Sequence, residues 1–567
     1  MEPDCQPAEP DGLDGQKCAP AAESRAPTRV AGWRVAAALA ASLFLLYPVV
    51  SLAPYAALPF VRAQVAREHS WFQYDNEEGA LLFQTLELRA GRSIYRPLDN
   101  YPLVVGTYPP LFLLMNAPFA DREQPSFFAG RIITAGSAMG LALMLGVMLA
   151  LRWRNVAAAL AGPALFLASY EVYNWIAYYR VDLPALFLSV MGIGCVAVSP
   201  PRDRAARVLS ATMFVLAFYT KQTSVAAPLA ATIYYLVCDR RGGLRYALGL
   251  GAGLVLPFAV LTAATGGQFA VHTIRYNMNT FVASDLLVWG RHVLLFYPWL
   301  LAAAALALAG TGWCRLAGAA AFRSAGPAAG GSSPPTLPVL LYALFSLGGF
   351  LAIGKAGSAE NYLLEPLAAL ALLTADGFGR LTAHILRGRL AGVAFAGAVG
   401  LASLLTVHAV RVSALQPIMF SPLKNPARAD FEDAAAAARA VERAPGDSWA
   451  ELGMLNLLAG RSIHMQPFIM SELARQGLAR LDHFHADLRA RRFSVIVTNH
   501  DIASGDGTIV YTSQTLALMR EHYIEDSRRT NGRLWKYYVY KPRPRAAPRH
   551  DIVESPDGES PRLMASD

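Results

Sequence analysis

The sequence predicts an α-helical polytopic membrane protein with a small α/β domain near its C-terminus. Of its 567 residues, 54% are hydrophobic and only 16% are charged, whereas a soluble domain carries about 25% charged residues. The mean hydropathy is +0.32. Apolar runs of roughly 20 residues, the length of helix that crosses a bilayer, recur along most of the chain. The composition turns polar only after Arg411, so we expect one large membrane domain followed by a polar domain.

The apolar runs predict about eleven membrane-spanning helices. Two short runs, residues 207–219 and 223–238, are assigned to separate helices that form a hairpin with Lys221 at its outer lip. A single helix would place Lys221 in mid-membrane, at a cost of about 2.5 to 3.5 kcal/mol. The predicted spans lie near residues 35–58, 126–150, 155–173, 182–198, 207–219, 223–238, 244–264, 291–310, 336–353, 362–378 and 390–411.

The distribution of arginine predicts which side of the membrane each loop faces. Arg25, Arg29 and Arg34 precede the first span, and further arginines recur in every second loop. By the positive-inside rule these segments are cytoplasmic. We therefore expect a multi-pass protein of the plasma (inner) membrane, with a cytoplasmic N-terminus and an extracytoplasmic C-terminal domain. The formal charge of +9 is spread between apolar segments, so it indicates topology and not nucleic-acid binding.

The chain divides into several predicted parts. Because polar residues precede the first span, a secretory signal peptide is not expected. The stretch FEDAAAAARAVERA favours a helix, and RFSVIVTN and LWKYYVYKP favour strands in the C-terminal region. A Gly-, Ser- and Pro-rich segment, residues 321–338, predicts a flexible linker. The predicted parts are a disordered cytoplasmic tail (1–34), the membrane domain (35–411) with its first outer loop (59–125), an extracytoplasmic α/β domain (412–545) and a disordered tail (546–567).

Polar residues that are not cytoplasmic anchors concentrate in the predicted outer loops. Helix ends that converge there would form a cavity with carboxylates on one wall and cations on another. The alternative is that exposed loops are polar without forming a site. For Lys221 the alternative is a side chain that snorkels to the interface, and for His272 it is a structural histidine. The loop residues are Asp75, Glu77, Glu78, Arg180, Asp182, Lys221, His272, Arg275, Lys355, Glu360 and Asn361.

The three acids of the stretch DNEE are a candidate catalytic group. Asp75, Glu77 and Glu78 repel one another, so the pKa of at least one rises if the group is partly buried. Such a carboxylate can act as a general base. The alternative is a plain cluster at a helix N-terminus, because acids favour the first helical turn and EEGALLFQTLELRAG has a helical pattern that ends at Gly91.

The same stretch resembles a known family. YDNEEGALLFQTLELRAGRSIY, followed by YPPLFLLMNAPF, is similar to the first outer loop of integral-membrane glycosyltransferases of the GT-C fold, specifically bacterial protein mannosyltransferases and aminoarabinose transferases. The family often has an adjacent Asp-Glu pair, whereas Asn76 and Glu77 intervene here. Asp75 with Glu78 is therefore one alignment, and Glu77 with Glu78 is another. The matching positions are Asp75, Glu78, Gly79, Gly91, Tyr95, Tyr108, Pro109, Pro110 and Leu111.

The resemblance implies an activity. Members of the family move a sugar from a polyprenyl-phosphate carrier to a glycan, lipid or protein acceptor at the outer face of the membrane, with inversion of the anomeric centre. A carboxylate among Asp75, Glu77 and Glu78 would take the acceptor proton. Cations would bind the donor phosphate as the leaving group, and no nucleotide cofactor is required, although some relatives use a divalent metal. The implied substrate-binding residues are Tyr108, Arg180, Asp182, Lys221, His272, Arg275, Lys355, Glu360 and Asn361.

Two other classes of function remain open at this point. A transporter or flippase of lipid-linked sugars would place ionisable groups near the membrane midplane on broken helices, often within inverted repeats. The charges of this sequence instead lie at one predicted lip of the membrane domain. A non-catalytic membrane scaffold, whose outer domain binds partners, is the third class.

Overall fold

The computed structural model describes residues 31–322, 336–388, 390–419 and 425–544. The predicted tails and linker fall largely on residues outside these ranges and stay predictions. The helices of the membrane domain are α1 (Gly32–Glu68), α2 (Glu78–Arg89), α3 (Leu111–Asn116), α4 (Phe128–Trp153), α5 (Val156–Leu167), α6 (Tyr170–Trp175), α7 (Asp182–Val198), α8 (Arg204–Thr220), α9 (Ala226–Cys238), α10 (Arg240–Ala264), α11 (Gln268–Thr273), α12 (Ala283–Phe296), α13 (Pro298–Phe322), α14 (Leu337–Gly349), α15 (Leu364–Arg387) and α16 (Ala391–Met419).

The predicted polytopic helical membrane protein is confirmed, since each predicted apolar run contains a helix. Within the described residues, 5 helices are long and apolar enough to cross a membrane, or 6 if the bent pair α12 and α13 is one span. The shorter apolar helices are α5, α7 and α9. Residues 221–225 separate α8 from α9, as the predicted break at Lys221 requires.

The predicted span at residues 291–310 is wrong as a single helix. The chain bends by 82° between α12 and α13. The bend follows from the sequence, because Pro298 has no backbone N–H and begins a new helix. Helix α12 contains no buried residue, whereas Leu300 and Ala303 of α13 belong to the core.

Helix α15 lies at the centre of the bundle. Nearly every residue from Leu364 to Thr382 is buried. Small side chains let its neighbours approach closely, as is typical of helix packing in membranes. A methyl group added at Gly377 would lie 2.4 Å from Cβ of Ala307, and one added at Gly379 would lie 2.5 Å from the Trp153 ring. Helix α10 shows the least burial of the long apolar helices, because only 6% of its most apolar 18-residue stretch is buried.

The predicted C-terminal α/β domain is also observed. Its sheet has the order β1-β2-β4-β3, in which β1 and β2 are parallel and the other pairs are antiparallel. Helix α16 continues past the predicted domain boundary at residue 411. The elements are α17 (Arg428–Glu442), β1 (Ser448–Ala450), α18 (Gly453–Leu458), α19 (Pro467–Arg475), α20 (Asp482–Ala490), β2 (Val495–Thr498), α21 (Ser513–His522), β3 (Tyr523–Arg529) and β4 (Tyr537–Pro542).

The first loop and the C-terminal domain share hydrophobic cores. Leu103 pairs with Met465 as an isolated β-bridge, and both side chains belong to one buried cluster with Trp449. Gly79 of α2 packs against Gly453 of α18, where an added methyl group would lie 2.8 Å from the Gly453 Cα. The loop is therefore clamped between the bundle and the C-terminal domain. We call this end of the bundle the domain end.

Candidate active site

Glu78, the first residue of α2, accepts hydrogen bonds at both of its carboxylate oxygens from other parts of the fold. Its Oε1 accepts hydrogen bonds from Nε of Arg131 at 3.1 Å and from the backbone N–H of Tyr179 at 2.6 Å. Its Oε2 accepts from the backbone N–H groups of Tyr74 at 2.6 Å and Asp75 at 3.1 Å. The side chains of Glu78 and Arg131 are 0% and 1% exposed. Glu78 therefore anchors the first loop to α4, and it is not among the residues that line the cavity described below.

Asp75 and Glu77 face a cavity instead. The chain turns before α2, and the backbone N–H of Glu77 donates to Oδ2 of Asp75 at 3.1 Å. Oε2 of Glu77 accepts a 2.6 Å hydrogen bond from Nε2 of Gln466 in the C-terminal domain. Burial raises the pKa of Glu77 to about 7, an effect that Arg180 opposes and Asp75 reinforces. A carboxyl with a pKa near neutrality is suited to proton transfer.

A chain of alternating charges extends from Asp75 through Arg180 and Asp182 to Lys221. Nη1 of Arg180 donates to Oδ2 of Asp75 at 2.9 Å, and Nη2 donates to the Tyr108 hydroxyl at 3.2 Å. Asp182 begins α7 and accepts hydrogen bonds from Nζ of Lys221 at 2.6 Å and from the Asn361 amide at 2.8 Å. The predicted residues from four separate segments thus meet at one place.

Lys355 differs from the other two cations. Its Nζ donates to the backbone carbonyl and the side-chain oxygen of Asn277, at 3.1 and 2.8 Å. Among the described residues, no carboxylate forms a salt bridge with it, whereas Arg180 and Lys221 are both paired with acids. Lys355 therefore brings an uncompensated positive charge to the cavity, as an anionic ligand would require.

The cavity has a volume of about 330 Å³. The carboxylates of Asp75 and Glu77 line it, and so do the cations Arg180, Lys221 and Lys355. A neighbouring chamber of about 260 Å³ extends between α7, α14, α15 and the segment 221–225 that precedes α9. The two spaces share the wall residues Lys221, Thr223, Asn361 and Tyr362.

Three predicted site residues lie elsewhere. Nδ1 of His272 accepts a hydrogen bond from the Gly106 N–H at 2.9 Å, so its Nε2–H donates to the carbonyl of Arg96 at 2.8 Å. Burial lowers the pKa of His272 to about 4, so this histidine is neutral and structural. Arg275 is exposed, and neither Arg275 nor Glu360 lines the cavity.

Two residues that organise the site are absent from the sequence prediction. Arg131 lies within the apolar run at 126–150, and an arginine in such a run signals a buried partner. Gln466 carries no comparable signal, because its role depends on how the C-terminal domain packs against the first loop. Its Oε1 accepts from the Val105 N–H at 3.3 Å, which fixes the amide so that its Nε2 points at Glu77.

The donor set fits a metal ion poorly. Within the described ranges, no group of three or more His, Cys, Asp or Glu side chains is arranged to hold a metal ion. Of the two acids that line the cavity, Asp75 already neutralises Arg180.

The chain is a polytopic helical protein with a cavity at one end of its helix bundle, where a C-terminal α/β domain packs. The chain is similar in structure to ArnT from Cupriavidus metallidurans bound to undecaprenyl phosphate, with a TM-score of 0.51 and 13% identity over 86% of this chain and 97% of that chain. This likeness confirms the predicted fold.

Two further structures are similar at lower scores. ArnT from Cupriavidus metallidurans in the apo state has a TM-score of 0.48 and 14% identity, over 86% of this chain and 97% of that chain. The Archaeoglobus fulgidus oligosaccharyltransferase in the apo form has a TM-score of 0.46 and 12% identity, over 87% of this chain and 73% of that chain. No family model matches the sequence, and no curated protein matches it.

Proposed function

We propose that the protein is a glycosyltransferase that moves a sugar from a polyprenyl-phosphate carrier to an acceptor in the cell envelope, on the outer face of the plasma membrane. One observation carries the proposal. The same cavity is lined by Glu77, a carboxyl of near-neutral pKa, and by Lys355, a cation without an acidic partner among the described residues, and it adjoins a chamber between membrane helices. Sugar transfer from a lipid-linked donor needs a base, a site that binds an anion, and a space that admits the lipid.

Lys355 and the paired cations would hold the donor phosphate. Charge-assisted hydrogen bonds to phosphate oxygens are stronger than neutral ones. They also strengthen as negative charge develops on the leaving oxygen, which stabilises the transition state. Lys221 lines both spaces, so it would meet a phosphate whose lipid chain lies in the membrane chamber. The ArnT structure that carries undecaprenyl phosphate has the same fold and supports this assignment.

Glu77 would act as the general base. The acceptor oxygen forms a bond to the anomeric carbon, the bond from that carbon to the phosphate oxygen breaks, and the acceptor proton passes to Glu77. The electron pair of the broken bond leaves with polyprenyl phosphate. A single displacement of this kind inverts the anomeric centre. Asp75 has another task, since it binds Arg180 and keeps the pKa of Glu77 high.

The proposal is tested by comparing envelope glycans, by mass spectrometry, from cells with the gene, without it, and with Glu77→Gln. The expected result is a sugar substituent that disappears without the gene and is not restored by the variant. Glycans that do not change in any of the three strains would overturn the proposal. Flux of lipid-linked sugar through reconstituted vesicles without a new glycosidic bond would favour a transporter instead.

A further inference from the structure

A second, smaller space adjoins the cavity at Glu77. It has a volume of about 40 Å³ and lies between α2 and the C-terminal domain. Asn76, Glu77, Phe468 and Val510 line both this chamber and the main cavity. Glu77 is therefore accessible from two directions, one shared with the cations and one not.

The two spaces differ in charge. Arg180, Lys221 and Lys355 line the main cavity, but no lysine or arginine lines the small chamber. Its charged lining residues are two acids, Glu77 and Glu451. The rest of the lining is mostly apolar and includes Ala80, Ile463, Met465, Pro467 and Phe468.

Glu451 is held firmly by its own domain. Its Oε2 accepts hydrogen bonds from the Tyr511 hydroxyl at 2.5 Å and from the Asn499 N–H at 2.9 Å. Oε1 lies 3.0 Å from Nδ1 of His500, whose pKa is raised by the hydrogen bond to Glu451. Gln466 similarly holds Glu77 at the boundary between the spaces. The shape of the chamber is thus fixed by residues that already have partners.

We propose that this chamber is the acceptor subsite, and that it takes a hydroxyl-bearing group which is uncharged or cationic and has an apolar face, rather than a phosphorylated group. The inference rests on the proposed function. An acceptor hydroxyl must reach Glu77 while the cations bind the donor phosphate. The acceptor therefore approaches from the small chamber, which no lysine or arginine lines. An acceptor phosphate there would face two carboxylates without a cation to neutralise it.

The size of the chamber limits what enters it. A water molecule needs a cavity volume of at least about 10 to 15 Å³. The chamber of about 40 Å³ therefore admits a substituent of roughly three non-hydrogen atoms. It would therefore hold the reacting hydroxyl and its nearest carbons, while the remainder of the acceptor stays outside. Phe468 offers an aromatic face at the boundary, where an apolar face of the acceptor would pack.

The test fills the chamber and measures donor binding and transfer separately. Ala80→Leu projects into the chamber and does not touch the main cavity. Val510→Trp narrows the boundary from a half-buried loop position, and Thr508→Trp, exposed on the same loop and lining neither space, is the matched control. Each full-length variant is assayed in lipid nanodiscs for undecaprenyl phosphate binding, and in cells for the envelope substituent.

The expected result is a loss of transfer of tenfold or more in Ala80→Leu, with undecaprenyl phosphate affinity within twofold of the wild type and no change in Thr508→Trp. Unchanged transfer in Ala80→Leu and Val510→Trp would overturn the subsite, as would equal loss of lipid binding and transfer in a folded Ala80→Leu. A phosphate beside the modified hydroxyl of the natural acceptor would overturn the charge assignment. Failure of the proposed function is distinguishable, because the wild type would then bind no lipid and change no glycan.

Discussion

The two ends of the helix bundle both bury charged side chains, but they differ in whether those side chains line a cavity described above. At the opposite end, Oδ1 of Asp376 accepts hydrogen bonds from Arg152 and Trp153, both at 2.7 Å. Its Oδ2 accepts from Arg380 at 3.2 Å. The side chains of Arg152 and Asp376 are 0% and 1% exposed, and neither residue lines a cavity described above.

The domain end repeats this arrangement once and then departs from it. Glu78 and Arg131 form an equally dry pair. One residue earlier, the Glu77 side chain accepts one hydrogen bond within the described ranges, from Gln466, and it lines the cavity. Lys355, which lines the same cavity, has no acidic partner among the described residues. Incomplete pairing beside a cavity, rather than burial of charge, separates the site from the structural pairs.

The largest expected effect comes from removing the base. Glu77→Gln keeps the shape of the side chain and an oxygen that accepts from Gln466, but it cannot take a proton. We expect transfer to fall about 10²- to 10⁴-fold, the usual range for general base catalysis, with no loss of thermal stability. Product mass spectrometry measures the first quantity and a melting curve in detergent measures the second.

Glu78→Gln is the contrasting control on the next residue. It would leave the Arg131 guanidinium buried without a counterion, which costs about 3 to 5 kcal/mol. We expect a lower melting temperature and less folded protein. Normal stability together with lost transfer in Glu78→Gln would show that the two acids have the opposite roles.

A second prediction concerns the opposite end. Asp376→Asn removes a carboxylate that pairs with both Arg152 and Arg380, so we expect the free energy of unfolding to fall by about 3 to 5 kcal/mol. Transfer per folded molecule should be unchanged. Melting curves, combined with transfer rates normalised to the monodisperse fraction, measure both quantities. Transfer lost in a stable Asp376→Asn protein would contradict the comparison.

Sequence patterns predicted the parts of the molecule that depend on local composition. The apolar runs became helices, and RFSVIVTN and LWKYYVYKP contain β2 and β4. The sequence also selected Arg180, Asp182, Lys221, Lys355 and Asn361, because charged residues near helix ends gather at one surface of a bundle. These inferences needed only hydrophobicity and order along the chain.

The remaining features depend on contacts between distant segments. Whether Glu77 or Glu78 faces the cavity is decided by Arg131, which lies on α4 and captures Glu78. Gln466 reaches Glu77 only because the C-terminal domain packs against the first loop. A histidine side chain can donate a hydrogen bond to phosphate, but both ring nitrogens of His272 are already bonded to backbone groups. No periodicity in the sequence encodes these contacts.

A third prediction tests the uncompensated cation. Lys355→Ala removes the charge that lacks an acidic partner, and hydrogen bonds to charged groups contribute about 1.5 to 3 kcal/mol. We expect undecaprenyl phosphate to bind about ten- to a hundredfold more weakly, with little change in stability. Arg275→Ala, an exposed cation outside the cavity, is the matched control and should bind normally. Equal losses in both variants would indicate a general effect of positive charge.

The smallest expected effect is a shift in pH dependence. Glu77 must be ionised to accept a proton, so transfer should rise with pH and level off above its pKa of about 7. The Asp75 charge raises that pKa, so Asp75→Asn should move the midpoint to lower pH.

The raised pKa of Glu77 also affects the stability of the folded state. This contribution to stability is fully present below pH 4.5 and is lost as the pH rises through about 7. Melting temperatures across this window should therefore fall more in the wild type than in Glu77→Gln, and matching slopes would show that Glu77 titrates normally.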